Sequence, residues 1–401
     1  MDLTDCECSS DVSTEESYSS DEFPPLEPDL DKLMAHVSQV VEMKLALAKK
    51  LTRGRYHEIY TLHCPERQWS CIARLSRFQE SPSKLSSEVA TMEYVRTHTR
   101  IPVPKVYCHD FSTCSVGVQF VVMERMPGQH LYRIWEDLTL DHKMAALSQI
   151  AQVLGQLSQL EFQEIGSLTE DFKVGPLIRI DNLDDLNPTT SLTGPYKSTF
   201  DYLASFIDGE SSRFADTPDD VGPILVDVKT TIQEYCVRRA SSSTIRPPFR
   251  LYHDDFDAQN MLFSNPTNDE PPRLTGIIDW EYAHTAPLYF LYEYPIFIQD
   301  NDCEKSAYAT NAILRPHFVR ELRAQFPRGS MASIEAKECM TAKCSTLNTF
   351  RDLFMFSGIE WDMLKPSVLG YLREEAEGVG KAYRGRLDWV PDPELGIEEK
   401  E

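Results

Sequence analysis

The spacing of apolar side chains near the start of the chain predicts one helix followed by a pair of strands. Residues 29–50 have the periodicity of an amphipathic helix, and Asp29 stands in the capping position. The apolar face of this helix would contain Leu30, Leu33, Val37, Val40 and Val41. Residues 53–62 and 69–76 have strand character and are joined by HCPERQ. This part of the chain is therefore predicted to be rich in β-structure.

Predicted helices dominate the later part of the chain. Before them, the apolar run FVVM at 120–123 predicts a strand that ends in a Pro-Gly turn. Residues 140–160 have apolar side chains about 3.6 positions apart, and this segment and five later ones are predicted to be helices. These segments are 140–160, 197–207, 219–239, 315–327, 331–356 and 365–384.

Two short apolar runs, 261–263 and 274–278, predict a β-hairpin, because SNPTNDEPP between them has the composition of a turn. In an antiparallel pair the start of one strand lies beside the end of the other. Asn260 would therefore lie beside Asp279. An amide oxygen next to a carboxylate suits a hard cation, so we predict that these two residues bind Mg²⁺.

The residues that precede the hairpin, LYHDDFDAQN, have a spacing typical of phosphoryl transfer. His253, Asp255 and Asn260 form the pattern H-x-D-x-x-x-x-N, in which the Asp accepts the proton of a substrate hydroxyl and the Asn holds a metal. Asp254 does not fit this spacing, and it is expected to lie outside the chemistry, as is Asp257. His253 is a candidate catalytic residue, with a structural role in holding the loop as the alternative. A solvated acidic turn is the alternative for the whole stretch.

The motifs HDDFDAQN and IIDWEYA resemble those of the aminoglycoside phosphotransferase family, particularly its fungal members. Further segments resemble family landmarks and occur in the family's order over about residues 50–385: IPVPKVYCHD, FVVMERMPGQHL, IGSL, VGPL and GPYKSTFDYL. The resemblance implies an α+β, two-lobed, protein-kinase-like fold with a small β-rich N-lobe and a larger, mainly helical C-lobe. It also implies transfer of the γ-phosphoryl group of ATP to a small molecule.

The resemblance also suggests which residues bind the nucleotide. Arg74 would pair with the ATP phosphates and with Glu88, and backbone groups from Glu124 to Met126 would contact adenine. The alternatives are an edge-strand Arg74 that faces water, a Glu88 favoured by the helix dipole, and a strand and turn at 120–128 without a ligand. Gly54 is the only glycine in the strand pair that would cover the phosphates, so a glycine-rich loop is absent there.

Charge and composition narrow the choice of partners. The chain of 401 residues has a formal net charge of −23, and residues 1–31 contain no Lys or Arg. An acidic protein is a poor match for nucleic acid, whose phosphates require a basic face. The chain lacks a long apolar run, and its ten cysteines lack C-x-x-C pairs. We therefore expect a cytoplasmic protein with no membrane or nucleic-acid partner. The resemblance implies a small-molecule hydroxyl substrate, and we expect the protein to be a monomer.

These observations give four predicted regions. They are a disordered acidic tail at 1–28, a nucleotide-binding lobe at 29–125, a catalytic and substrate lobe at 126–385, and a flexible tail at 386–401. The predicted function is ATP- and Mg²⁺-dependent phosphorylation of a small-molecule hydroxyl. The alternative is a catalytically weak nucleotide-binding or regulatory module, suggested by the missing glycine-rich loop and by Arg74 at the position where protein kinases have Lys. Asp257-Ala258-Gln259 stands where relatives often have His-Pro-Gly, which predicts a different backbone for this loop.

Overall fold

The computed structural model of the chain describes six stretches: residues 25–113, 115–180, 190–213, 221–267, 270–299 and 305–340. These residues form two compact units. The first contains the described residues up to Glu80 together with Val106–Arg125. The second contains Ser81–Lys105 and the described residues from Met126 onward.

The first unit is an antiparallel sheet with one helix, α1 (Leu30–Val41). Its strands are β1 (Leu47–Arg53), β2 (His57–Cys64), β3 (Trp69–Ser76), β4 (Val106–Asp110) and β5 (Phe120–Glu124). Their order across the sheet is β1-β2-β3-β5-β4, so β3 has a neighbour on each side. Alternate residues of β2 are buried. Three of them, Tyr60, Leu62 and Cys64, pack in one apolar core with Leu33 and Val37 of α1.

The predicted helix at 29–50 is too long. α1 ends at Val41, where Glu42 takes a left-handed conformation (φ 53°) and its N–H bonds to the carbonyl of Ser38. Residues 47–53 instead pair with β2. Strand pairing with a neighbour outweighs the weak helical periodicity of this segment, because β-structure depends strongly on tertiary context. The strand predicted at 53–62 is likewise divided by the turn between β1 and β2.

The predicted disordered tail at 1–28 is also too long. Residues 1–24 lie outside the described residues, but residues 25–28 are described. The Leu26 amide donates to the Glu58 carboxylate at 3.1 Å, and the Leu26 side chain packs against the apolar core. Glu58 is fully buried, and Lys50 pairs with it at 2.6 Å. This buried acceptor fixes the start of the described chain on β2.

The second unit is mainly helical. Its helices are α2 (Pro82–His98), α3 (Leu131–Ile134), α4 (Leu140–Leu157), α5 (Thr199–Arg213), α6 (Val221–Arg238), α7 (Leu288–Leu291), α8 (Tyr308–Arg323) and α9 (Met331–Cys339). α4, α5, α6 and α8 lie close to the predicted helices. The predicted helix at 331–356 is described only up to α9, and the one at 365–384 lies outside the described residues. The prediction of an α+β fold with a small β-rich unit and a larger, mainly helical one is confirmed.

Helix α2 belongs to the second unit, although the sequence placed residues 81–105 in the N-terminal lobe. Its contacts within that unit explain the difference. Ser86 donates to Glu170 at 2.8 Å, and the ring of Tyr94 lies 5.6 Å from Phe162 and 5.5 Å from Phe172. The order of residues along the chain cannot reveal these contacts, since they join residues far apart in sequence.

Three small sheets in the second unit complete the fold. β7 (Glu161–Phe162), β10 (Phe249–Tyr252) and β13 (His284–Ala286) form one, and β8 (Leu177–Ile180) pairs with β9 (Thr190–Thr193). The third contains β6 (Gln129–His130), β11 (Met261–Phe263) and β12 (Leu274–Ile277) in the order β12-β11-β6. Gly128 (φ 101°) leads into β6, where a Cβ atom would lie 2.5 Å from the Phe263 carbonyl oxygen. No helix in the described residues is both long enough and apolar enough to cross a membrane.

Candidate active site

The predicted hairpin forms and brings the two predicted metal ligands to the same end. Met261 pairs with Ile277, and Leu262 pairs with Gly276, in antiparallel register. Asn260 precedes β11, and its carbonyl accepts a hydrogen bond from the Ile278 amide at 3.0 Å. Asp279 is the next residue and is exposed. The backbone therefore places Asn260 beside the segment that carries Asp279.

Asp255 is held by two side chains of its own loop. Its Oδ2 accepts from Asn260 Nδ2 at 2.8 Å and from Gln259 Nε2 at 3.0 Å. Asn260 Nδ2 also donates to the Asp255 carbonyl at 3.0 Å. Residues 258–260 form a 3₁₀ turn, which gives Gln259 and Asn260 this reach. Neither side-chain bond uses Oδ1, so this oxygen is the one suited to accept a proton from a substrate.

His253 connects this loop to the end of the hairpin. It is 1% exposed, and its Nε2 donates to the Ile278 carbonyl at 3.0 Å. Burial lowers the pKa of His253 to about 4, so the ring is neutral near pH 7. Trp280 lies against it, with ring centroids 4.5 Å apart. These contacts are those of a residue that positions the loop, which was the structural alternative for His253.

The segment after β12 has an unusual backbone. Asp279 (φ 64°) and Tyr282 (φ 59°) are both left-handed, although neither is glycine. Such conformations cost free energy and persist where the surrounding structure holds them. Trp280 supplies one such restraint, because it is fully buried and its Nε1 donates to the Ile277 carbonyl at 3.1 Å.

Two further aspartates of the loop have raised pKa values. Burial, with a smaller contribution from the Asp255 charge, raises the pKa of Asp254 to about 7. Asp254 also has a left-handed backbone (φ 73°). Burial is the main cause that raises the pKa of Asp257, and its buried Oδ1 has no hydrogen-bond partner in the described part of the chain. The three carboxyl groups between residues 254 and 257 thus have different environments.

We expect Asp254 to make the stability of the protein depend on pH. An unfolded Asp has a pKa of about 3.9, so the folded state holds the Asp254 proton more tightly. The stability due to this proton is lost as the pH rises from about 4 to about 7. Asp254→Asn removes the titration, and Asn also tolerates a left-handed backbone. In urea unfolding, the free energy of unfolding of the variant should increase relative to that of wild type as the pH rises from about 4 to about 8. A pH-independent difference would contradict this assignment.

Asn260 and Asp279 have the donor chemistry that a magnesium ion requires. Asn260 is 5% exposed, and its Nδ2 is engaged by Asp255, so its Oδ1 is the amide atom suited to a cation. Asp279 adds a solvent-accessible carboxylate. Hard oxygen ligands of this kind, completed by water and phosphate oxygens, are typical of Mg²⁺. The residues therefore fit the ion, and their role as its ligands stays a prediction.

The two predicted ion-pair residues, Arg74 and Glu88, are both buried. Arg74 pairs with Ile59 and Val121 in the middle of the sheet and is 7% exposed, so the alternative of an edge-strand side chain facing water is wrong. Glu88 is 3% exposed and lies beyond the first turn of α2, which begins at Pro82. The alternative of a carboxylate held by the helix dipole is wrong for that reason. Their pairing with each other stays a prediction.

The residues predicted to contact adenine lie where the chain leaves the sheet. Glu124 is the last residue of β5, and Met126 is the first residue of the second unit. Met126 packs over β12: a Cβ atom at Gly276 would lie 3.1 Å from the Met126 Cβ. Gly276 thus allows this close packing. Contact of these residues with a nucleotide stays a prediction.

Sequence reasoning missed three contributors to the site. Gln259 was regarded only as a departure from His-Pro-Gly, yet it donates to Asp255. Its position four residues after Asp255 is the signal that could have identified it. Lys84 also contributes, because it forms an ion pair with Glu281, which lies two residues after Asp279. No sequence pattern marks that pair, because its members are distant in the chain.

Comparison with known proteins gives several fungal relatives. A subtelomeric hrmA-associated cluster protein of Aspergillus fumigatus is 29% identical over 40% of this chain and 36% of its own length. The Clavilactone A biosynthesis cluster protein Y of Ampulloclitocybe clavipes is 24% identical over 68% of this chain and 66% of its own length. The chain thus spans less than two thirds of these relatives.

Solved structures provide two further comparisons. The GDP complex of aminoglycoside 2'-phosphotransferase-IIIa has a TM-score of 0.46 at 15% identity, over 88% of this chain and 98% of that one. The ethanolamine kinase of Plasmodium vivax has a TM-score of 0.45 at 13% identity, over 83% of this chain and 80% of that one.

The profile of the APH phosphotransferase enzyme family matches residues 49–290. This range includes most of β1, all of β2 and β3, the loop with Asp255 and Asn260, and the segment after β12. The match covers more than half of the chain, and so the chain belongs to the phosphotransferase enzyme family.

Proposed function

We propose that this phosphotransferase uses ATP and Mg²⁺ to phosphorylate a hydroxyl group of a small molecule. The observation that supports it most strongly is the hydrogen bond between Asn260 and Asp255. The Asn260 carbonyl also accepts a hydrogen bond from the amide of Ile278, the residue before Asp279. The proposed acceptor-facing carboxylate and the proposed metal ligands are thereby fixed relative to one another. A solvated acidic turn would not need such bonds.

In this proposal Asp255 orients the acceptor hydroxyl and accepts its proton through Oδ1. The bonds from Asn260 and Gln259 hold the carboxylate in one orientation, so no rotation is required at the moment of reaction. His253 fixes the distance between the loop and the end of β12 through its bond to Ile278. Asp254 has a different environment from Asp255 and is assigned no part in the proton transfer.

Asn260 and Asp279 would hold the magnesium ion. When bound, Mg²⁺ supplies the positive charge that offsets the negative charge of the transferring phosphoryl group. Arg74, buried in the middle of the sheet, would contribute a fixed guanidinium charge towards the phosphates, and Glu88 would orient it. The backbone from Glu124 to Met126 would contact adenine.

An ATP-consumption screen tests this proposal. Purified protein, ATP and Mg²⁺ are incubated with a library of hydroxyl-containing metabolites, and release of ADP is measured together with the mass of the product. The proposal expects at least one acceptor to gain the mass of a phosphoryl group. Binding of Mg²⁺-ATP without transfer to any acceptor would favour the alternative, a catalytically weak nucleotide-binding or regulatory module.

The class of acceptor, the location and the oligomeric state stay proposals as well. We propose a cytoplasmic monomer with a small-molecule partner. Several relatives are named as mitochondrial proteins, for example the altered inheritance of mitochondria protein 9 of Zygosaccharomyces rouxii. Cell fractionation of the tagged protein separates these two locations.

A further inference from the structure

A buried ion pair joins the first turn of α2 to the segment that follows Asp279. Lys84 is 5% exposed, and its Nζ contacts the carboxylate of Glu281, whose side chain is 14% exposed. The same ammonium lies 5.2 Å from the centroid of the Tyr282 ring. A cation at this distance is attracted by the face of an aromatic ring. Lys84 therefore holds two consecutive residues of this segment.

The position of Lys84 is unfavourable for the helix itself. α2 begins at Pro82, so Lys84 lies in its first turn, near the positive end of the helix dipole. The helix dipole favours a cation at the C-terminal end of a helix and disfavours one in the first turn. Burying an ammonium also costs free energy unless a partner compensates for it. The presence of a buried lysine here is thus explained by its contacts outside the helix.

Those contacts lie in a segment that needs restraint. Asp279 and Tyr282 have left-handed backbones, and such conformations persist where their surroundings determine them. Trp280 anchors the segment from the side of β12, through its buried ring and its bond to Ile277. Glu281 is the next residue, and Lys84 binds it from the side of α2. The two residues that follow Asp279 are therefore held in place, Trp280 by β12 and Glu281 by α2.

We propose that Lys84 is a positioning residue for the metal site: through Glu281 and Tyr282 it holds Asp279 in the orientation that binds Mg²⁺. The inference rests on the proposed function, because it assumes that Asp279 is a metal ligand. It adds that helix α2 and the metal site are coupled. Partners that orient a ligand in this way typically contribute about ten- to hundredfold to metal affinity.

Four variants test the coupling: Lys84→Met, Glu281→Gln, the double variant with both changes, and Lys143→Met as a matched control. Lys143 has a side-chain exposure of 12%, lies 5.2 Å from the centroid of Trp135 and pairs with Glu136 at 3.8 Å. It therefore resembles Lys84 in having a low exposure, a carboxylate partner and an aromatic partner, although Glu136 is 84% exposed, and both of these partners lie outside the segment after β12. For each protein, the Mg²⁺ concentration that gives half-maximal thermal stabilisation is measured at fixed ATP.

Lys84→Met and Glu281→Gln should each raise this concentration about ten- to hundredfold. The double variant should raise it by no more than either single change, because both remove the same interaction. Lys143→Met should leave it unchanged. A wild-type Mg²⁺ requirement in Lys84→Met would overturn the inference. A raised requirement in Glu281→Gln alone would also overturn it, since Glu281 would then act as a ligand and not as a link to α2.

A second measurement needs neither nucleotide nor metal. Amide hydrogen exchange in the unliganded protein should become faster at residues 279–283 in Lys84→Met and stay unchanged there in Lys143→Met. Should Lys84→Met fail to fold because the Glu281 carboxylate has lost the compensating Lys84 charge, the double variant removes the carboxylate charge as well and decides the question. Unchanged exchange at 279–283 in the double variant would contradict the inference.

The two proposals can fail separately. Wild-type protein that is not stabilised by Mg²⁺-ATP under any condition would overturn the proposed function and the inference with it. Wild-type protein that is stabilised, together with Lys84 variants that keep the same Mg²⁺ requirement, would overturn the inference alone.

Discussion

Asp255→Asn is expected to lower turnover by about two to four orders of magnitude, the usual contribution of a positioned general base. Asn has the shape of Asp and can keep one hydrogen bond to the loop. Its neutral amide cannot take the proton from the hydroxyl group of the substrate. Nucleotide binding should survive, because the Asp255 carboxylate is held by Gln259 and Asn260 on one oxygen and is assigned to the acceptor. The measurement is kcat with an acceptor from the screen, beside the dissociation constant of Mg²⁺-ATP.

Asp254→Asn is the matched control for this prediction. It makes the same chemical change one residue earlier, at a carboxyl group whose pKa is raised to about 7. Turnover should fall far less than in Asp255→Asn. Greater damage from Asp254→Asn, or complete loss of ATP binding in Asp255→Asn, would show that the roles assigned along the loop are wrong.

Trp280→Ala is expected to lower the free energy of unfolding by about 3–5 kcal/mol, the usual cost of removing a large buried aromatic side chain. The variant loses the ring that packs against His253 and the bond to the Ile277 carbonyl. The ring contact joins the loop with Asp255 to the segment with Asp279, and the hydrogen bond holds that segment on β12. Binding of Mg²⁺-ATP should therefore weaken in addition, when measured at a temperature where the variant is folded.

Trp135→Ala separates the two effects. Trp135 is 5% exposed and packs against Phe297, with ring centroids 4.6 Å apart, so its removal should also destabilise the second unit. It contacts neither His253 nor Ile277, and its loss should leave nucleotide affinity unchanged. Equal affinity for Mg²⁺-ATP in wild type and Trp280→Ala would show that the Trp280 contacts serve stability alone.

Local sequence signals predicted the hairpin at the centre of the site. Two apolar runs with a turn-rich segment between them defined β11 and β12, and the antiparallel register placed Asn260 beside the segment of Asp279. Helix α4 followed in the same way from the apolar periodicity of residues 140–160. Such features depend on residues near each other in the chain, and so the sequence is sufficient for them.

Features that depend on distant contacts could not be predicted. Residues 47–50 of β1 were interpreted as helix, because their strand conformation depends on pairing with β2. Helix α2 was predicted as part of the N-terminal lobe, whereas the structure groups it with the second unit, since its contacts with Glu170 and Phe162 join residues far apart in sequence. The ion pair of Lys84 with Glu281 was missed for the same reason.

Binding of Mg²⁺-ATP is the most direct test of the central claim that Asn260 and Asp279 form a metal-dependent nucleotide site. Thermal unfolding is measured for wild type and Asp279→Ala with ATP, in Mg²⁺ and in a chelator. At a hundredfold excess over the dissociation constant, Mg²⁺-ATP should stabilise the wild type by about 2.7 kcal/mol. Asp279→Ala should lose most of the part that depends on Mg²⁺. A wild-type protein that Mg²⁺-ATP does not stabilise, or an Asp279→Ala variant that it stabilises equally, would contradict the account.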